Sequence, residues 1–352
     1  MVSALSLWLF PLAGPAPQLL LALVNGAGLA GAVTIANLLI VERRPEAEWN
    51  TRLSWLETAL GVGQGSALLL AAWLSTLSAR DALLIGAFVP AAAIPLAAAF
   101  IHQPPARPAS ARSAGASPDA HPARPQHRLA HAGMVGEWGP ASPSRVHDLH
   151  RVRKPLVGLR HVLGGGFGWL LAAWIPAYAG TAVVFSLYPV LFQHSFGVAP
   201  QTSAIAFAVI VFVSLPLFIL AGRTASRHGP VPVIAGGMAA RVVLLGLLAG
   251  LAAAGHIPYV IPLAAFAGIM FAWSYLSVAS PALTGQLVPG AEGDAQGLLN
   301  AASGVAGLIG SVAGGEVAGE WGYPAALALG AATVALGLTI FLATLTRRRT
   351  RR

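Results

Sequence analysis

Few ionisable side chains lie within the apolar stretches of this sequence, and those few limit the chemistry it could do. Arg241 sits deep inside a long apolar run, where a lone cation is expensive unless it is paired or reaches an interface. It could bind an anion, or it could be a scaffold arginine satisfied by carbonyls or water. Glu57 and Glu316 are the carboxylates in or near such runs, and either could relay a proton. Glu57 falls within two turns of one span end and Glu316 near the other, so solvated positions are expected for both. Among the uncharged side chains in these runs are Asn25, Asn37, Gln64, Tyr178, Tyr188, Trp273, Tyr275 and Asn300. In lipid such side chains hydrogen-bond between helices, anchor at the interface, or line a polar cavity. As a set they suit an aromatic, weakly polar cavity, which fits an amphiphilic solute better than a multiply charged one.

Other chemistry is excluded. An enzyme embedded in a membrane needs His, Asp or Glu clustered at helical spacing within spans, and the sequence has none. With no cysteine there is no disulfide framework, thiol nucleophile or thiolate metal site. No Gly-Lys phosphate loop is present, which argues against ATP hydrolysis. His121, His127, His131, His147 and His150 lack ligand spacing and read as solvated, so neither a metal nor a cofactor is expected.

The elements that must position these residues follow from composition. Hydrophobic residues make up 56% of the 352 and charged residues 9%, and the mean hydropathy is +0.71. Soluble chains carry about 25% charge. Apolar runs near the length of about 20 residues that crosses a bilayer recur along the chain. The expected fold is an all-α polytopic membrane protein. Its divisions are an N-terminal bundle over 1–101, a basic Pro-rich linker over 102–166, a six-helix bundle over 167–346 and a basic tail over 347–352. From His102 to His161 the linker holds nine prolines, nine Arg or Lys and three acids, too little apolar surface to repay ordering.

Nine full spans are expected, preceded by a partial one at 2–13. They cover about 18–41, 53–77 and 81–101 before the linker, with a loop at 42–51. After it come 167–191, 203–222, 231–254, 257–281, 295–318 and 324–345. If the linker is cytoplasmic, alternation places 19 of the 21 basic residues on that side, leaving Arg80 opposite and Arg241 within a span. The net charge of +9 therefore belongs to loops at a membrane and does not call for nucleic acid. Arg151, Arg153, Lys154 and the C-terminal arginines could touch anionic lipid. Pro45, Glu48 and Arg52 recur in spacing as Pro289, Glu292 and Gln296, which with the linker suggests two homologous halves.

The expected loop Gly222–Pro230 resembles the short cytoplasmic loop of the major facilitator superfamily, Gly-x-x-x-Asp-Arg-x-Gly followed by basic residues. Gly222, Arg227 and Gly229 match, Arg223 adds charge, Ser226 replaces the acid and Pro230 a basic residue. The stretches 26–52 and 268–315 are also similar to that family, as are six spans after a long basic linker. The resemblance implies a multi-pass cell-membrane transporter that moves a small organic solute by alternating access, with protons as a candidate coupling ion and efflux the leading direction. It implies that the fourth, seventh and tenth helices line the cavity. Those carry Asn25 and Asn37, then Tyr178 and Tyr188, then Trp273 and Tyr275, with Gln64 and Asn300 flanking on the fifth and eleventh. The ninth helix is peripheral in the family, which favours a scaffold role for Arg241. The family has six helices before the linker. Counted back from it, 2–13 becomes the end of the third, so a late start or a truncated, non-transporting remnant is the alternative expectation. On the eleventh helix Gly304, Gly307, Gly310, Gly314 and Gly315 read as a packing face.

Overall fold

The computed structural model describes residues 2–12, 14–43, 46–74, 77–100, 163, 165–255, 257–289 and 291–349. All regular structure among them is helical. In chain order the elements are α1 (Val2–Leu9) with a 3-10 turn (Phe10–Leu12), α2 (Pro15–Arg43), α3 (Glu46–Leu74), α4 (Ala79–Phe100), α5 (Gly166–Phe196), α6 (Pro200–His228), α7 (Pro230–Ala254), α8 (Val260–Leu287), α9 (Glu292–Trp321) and α10 (Tyr323–Arg349). The linker through residue 162 and the last three residues, with the histidines and arginines they carry, lie outside the described residues.

Glycine and proline punctuate the second half. Gly197, with φ of 68°, closes α5: its N–H donates to the Gln193 carbonyl and that of Val198 to the Phe192 carbonyl, and Pro200 opens α6. Gly229 takes φ of 83° between the last residue of α6 and Pro230, the first of α7. A side chain there would be strained, whereas glycine adopts that backbone freely. Gly222–His228 therefore forms the closing turns of α6 rather than a loop, because nothing before Gly229 breaks the helix.

A similar difference appears earlier. The expected loop at 42–51 is helical except at residues 44 and 45, which are not described. Glu46 and Glu48 sit in the first turn of α3, where carboxylates complement the helix dipole. Arg52 Nε donates to Glu48 Oε2 at 3.2 Å, one turn apart. Among the described residues seven helices are long and apolar enough to cross a membrane, fewer than the nine expected. α3 falls short because Glu57, Gln64 and its Gly and Ser residues dilute its apolar run, and α4 offers only the shorter stretch Asp81–Pro95.

The outside of the bundle is apolar. Val209 and Val213, Val243 and Leu247, and Leu308 and Val312 are all exposed and one turn apart, a pattern that faces hydrocarbon. Inside, α5 lies between α9 and α10. Gly310 of α9 packs directly against the Ala179 backbone of α5, where any Cβ would strike the carbonyl. Gly314 meets Val183 and Gly307 meets Tyr178, but Gly304 and Gly315 face open space. The glycine face is a packing seam only in part.

The two sequence blocks meet through α3. Its main neighbours are α6 and α8, with a shared core of Trp49, Leu53, Phe218, Ala221, Val278 and Ala282. α2 meets α9, where Asn300 Nδ2 donates to Thr34 Oγ1 at 2.7 Å.

Candidate functional site: a cavity between α3, α5, α7, α8 and α9

Near the middle of the helices lies a cavity of about 540 Å³, within the range of small-molecule sites. Gln64 comes from α3; Tyr178, Thr181, Ala182, Phe185 and Ser186 from α5; Arg241 from α7; Met270 and Trp273 from α8; Gly307 and Ser311 from α9. Tyr178, Thr181, Ala182 and Phe185 are three, four and seven residues apart on α5, so one helix face supplies them all.

Arg241 is the cation of this cavity. It is 2% exposed, and its Nη1 donates to Thr181 Oγ1 at 3.0 Å. Thr181 in turn donates to the Ala177 carbonyl at 2.9 Å, which fixes its hydroxyl. The guanidinium carbon stands 5.1 Å from the Trp273 ring centroid, a cation–π contact. Tyr178 meets Trp273 edge-on at 5.9 Å, and Trp174 lies 6.1 Å from Tyr178. Trp174 Nε1 donates to Ser303 Oγ at 2.8 Å, so the aromatic row is tied to α9. Behind the cavity, Phe185 packs on a ring cluster of Phe207, Phe266 and Tyr188.

Of the residues expected at a site, four line the cavity: Gln64, Tyr178, Trp273 and Arg241. Tyr188 does not. It is 1% exposed in an apolar core, and its hydroxyl donates to the Ser203 carbonyl at 2.9 Å. Tyr275 faces a separate outer groove shared with Thr224, His228 and Gly236. Asn300 is used in the bond to Thr34; Asn37 is buried on α2 with Oδ1 unpartnered, and Asn25 is half-buried there.

Glu57 differs in depth from the sequence expectation. Because α3 starts at Glu46, Glu57 lies about three turns inside the helix, not within two turns of its end. Its carboxylate meets the Ser277 hydroxyl of α8, and Tyr178 lies within the electrostatic reach of both Glu57 and Arg241. Glu316 is exposed, toward the end of α9. Gly222 presses on the Asn50 carbonyl and the Ser54 side chain of α3, while Arg223 and Arg227 are exposed. Among the described residues no group of His, Asp and Glu is placed to hold a metal.

Sequence reasoning did not single out Thr181, Phe185, Ser186, Met270 or Ser311. The spacing from Tyr178 was the one available signal for the residues on α5.

No curated protein sequence matches the chain. Among solved structures it is similar to the human organic anion transporter MFSD10 (TETRAN), at a TM-score of 0.60 and 15% identity. That alignment covers 97% of this chain and 75% of the other, and at this identity it shows a shared fold. The sequence profile described as Major Facilitator Superfamily matches residues 1–271 and 170–352. With apolar helices sharing a mid-bundle cavity and a profile match along the whole length, the chain belongs to the major facilitator superfamily of membrane transporters.

Proposed function

We propose that the protein carries a small, amphiphilic organic solute across the cell membrane by alternating access, with the cavity around Arg241, Tyr178, Trp273 and Gln64 as the solute site. One observation carries this reading: the cavity wall is shared between α3, from the first sequence block, and four helices of the second. Rocking of one block against the other would then move a wall of the site and change the side from which it is reached. The division at the linker, with 1–101 and 167–346 as the two bodies, belongs to the same proposal. So does a cytoplasmic placement of the linker and C-terminus, which the bias of basic residues supports.

Outward movement of a drug-like compound or metabolite is the direction we favour. Glu57, inside α3 and beside Tyr178, is the carboxylate best placed to take up a coupling proton. The contact of Gly222 with Asn50 and Ser54 would brace α6 against α3 at the basic end in one arrangement and part in the other. Flux of an amphiphilic dye from proteoliposomes, with and without an imposed proton gradient, tests the proposal. Accumulation that follows the gradient and is lost in Trp273→Ala supports it. Equal leakage in protein-free vesicles would refute it and favour a membrane protein that does not transport.

A further inference from the structure

We infer that the solute carries a single planar or forked oxyanion, a carboxylate or sulfonate, and that Arg241 recognises it through the Nε–Nη2 edge of its guanidinium. This rests on the reading that the cavity is the solute site, and adds the chemistry of what enters it.

The guanidinium offers its donors in a fixed fork. Nη1 is already committed to Thr181. Nε and Nη2 have no hydrogen-bond partner among the described residues and are shut off from water. These two nitrogens share one edge of the plane, and that edge meets two oxygens of a carboxylate or sulfonate at once. No acid among the described residues fills the place. Among the described residues the one ion pair is Arg52 with Glu48, both partly exposed, and Glu57 engages Ser277. A buried cation with two empty donors is a costly arrangement for a folded protein to hold. The Trp273 face compensates only in part. An oxyanion arriving with its solute supplies the missing acceptors, displacing the side chains that cover the edge as it seats. Tyr178, Phe185 and Met270 then face the apolar body of the same molecule. With one arginine in the cavity, one charged group is matched and a second would be stranded among aromatic rings.

The test uses the purified full chain in lipid nanodiscs with a matched probe pair, naphthalene-2-carboxylate and its neutral carboxamide, titrated by calorimetry. Wild type is expected to bind the carboxylate about tenfold or more tighter than the carboxamide. Arg241→Gln should bring the two to equal affinity. Arg241→Lys keeps the charge but loses the fork, so it should weaken the carboxylate alone. If Arg241→Gln does not yield folded protein, the lysine variant and the wild-type ratio decide the matter. Equal affinities in wild type, with both weakened by Trp273→Ala, would overturn the anion assignment and leave the cavity as a solute site. Saturable binding of neither probe would overturn the cavity reading and this inference with it.

Discussion

Arg241 on α7 and Thr181 on α5 are joined by a hydrogen bond of 3.0 Å, sixty residues apart in sequence. Among the described residues it is the one hydrogen bond that holds the buried guanidinium, and the threonine is itself held by its own helix. Thr181→Val keeps the shape and removes the acceptor, leaving Nη1 as stranded as its two neighbours. The expected cost is about 1–3 kcal/mol, read as a lowered thermal midpoint in detergent. A midpoint equal to wild type would mean the bond contributes nothing.

The α5–α9 seam makes a sharper prediction. Gly310→Val places a side chain where the Ala179 backbone now lies, so the helices must separate. Overpacking of this kind costs about 1–3 kcal/mol, and more where backbone must move. Gly304→Ala on the same helix faces open space and should be neutral or stabilising by up to about 1 kcal/mol. Comparable losses in both variants, measured by folded yield and thermal unfolding, would show that the seam is not where the structure puts it.

Tyr188 and Tyr178 should separate stability from binding. Tyr188→Phe removes the bond to the Ser203 carbonyl and should cost about 0.5–1.5 kcal/mol of stability without changing solute affinity. Tyr178→Phe should change affinity for a probe in the cavity, since its ring and hydroxyl lie on the wall. Titration of both variants beside their melting curves checks the pair, and altered affinity in Tyr188→Phe would contradict its placement.

Asn300→Leu removes the side-chain link from α9 to Thr34 of α2. Hydrogen bonds between membrane helices average about 0.6 kcal/mol, so only a small stability change is expected. A double-mutant cycle with Thr34→Val should return a coupling of that order. A coupling near zero would mean the two side chains do not meet.

The helices were legible in the sequence because long apolar runs ended by glycine or proline leave the backbone little choice, and the family could be read from spacing around Arg227 and Gly229. Helix starts were less clear. The charged turn from Glu46 to Arg52 looks like a loop by hydropathy, yet its acids favour a helix N-terminus, which moved Glu57 about two turns deeper. The candidate site was only partly legible, for a geometric reason. Trp273 and Tyr275 are two residues apart, about 200° around a helix, so one face cannot present both. Tyr178 and Tyr188 point about 80° apart by the same count. Which member of each pair meets the cavity depends on how α5 and α8 are rotated against α3, α7 and α9. Long-range packing sets that rotation, and no local pattern records it. Arg241 was harder still, since its partners Thr181 and Trp273 lie on two other helices.

Trp49 and Leu53 of α3 are buried against Phe218, Ala221, Val278 and Ala282, residues from the far side of the long basic segment. Non-covalent contact across that seam, more than chain continuity, therefore decides whether the pieces stay together. Two polypeptides made from separate messages, one ending after α4 and one beginning before α5, would carry what is needed to find each other in a bilayer. Breaking the chain there would cost the pair its high local concentration but not its mutual fit.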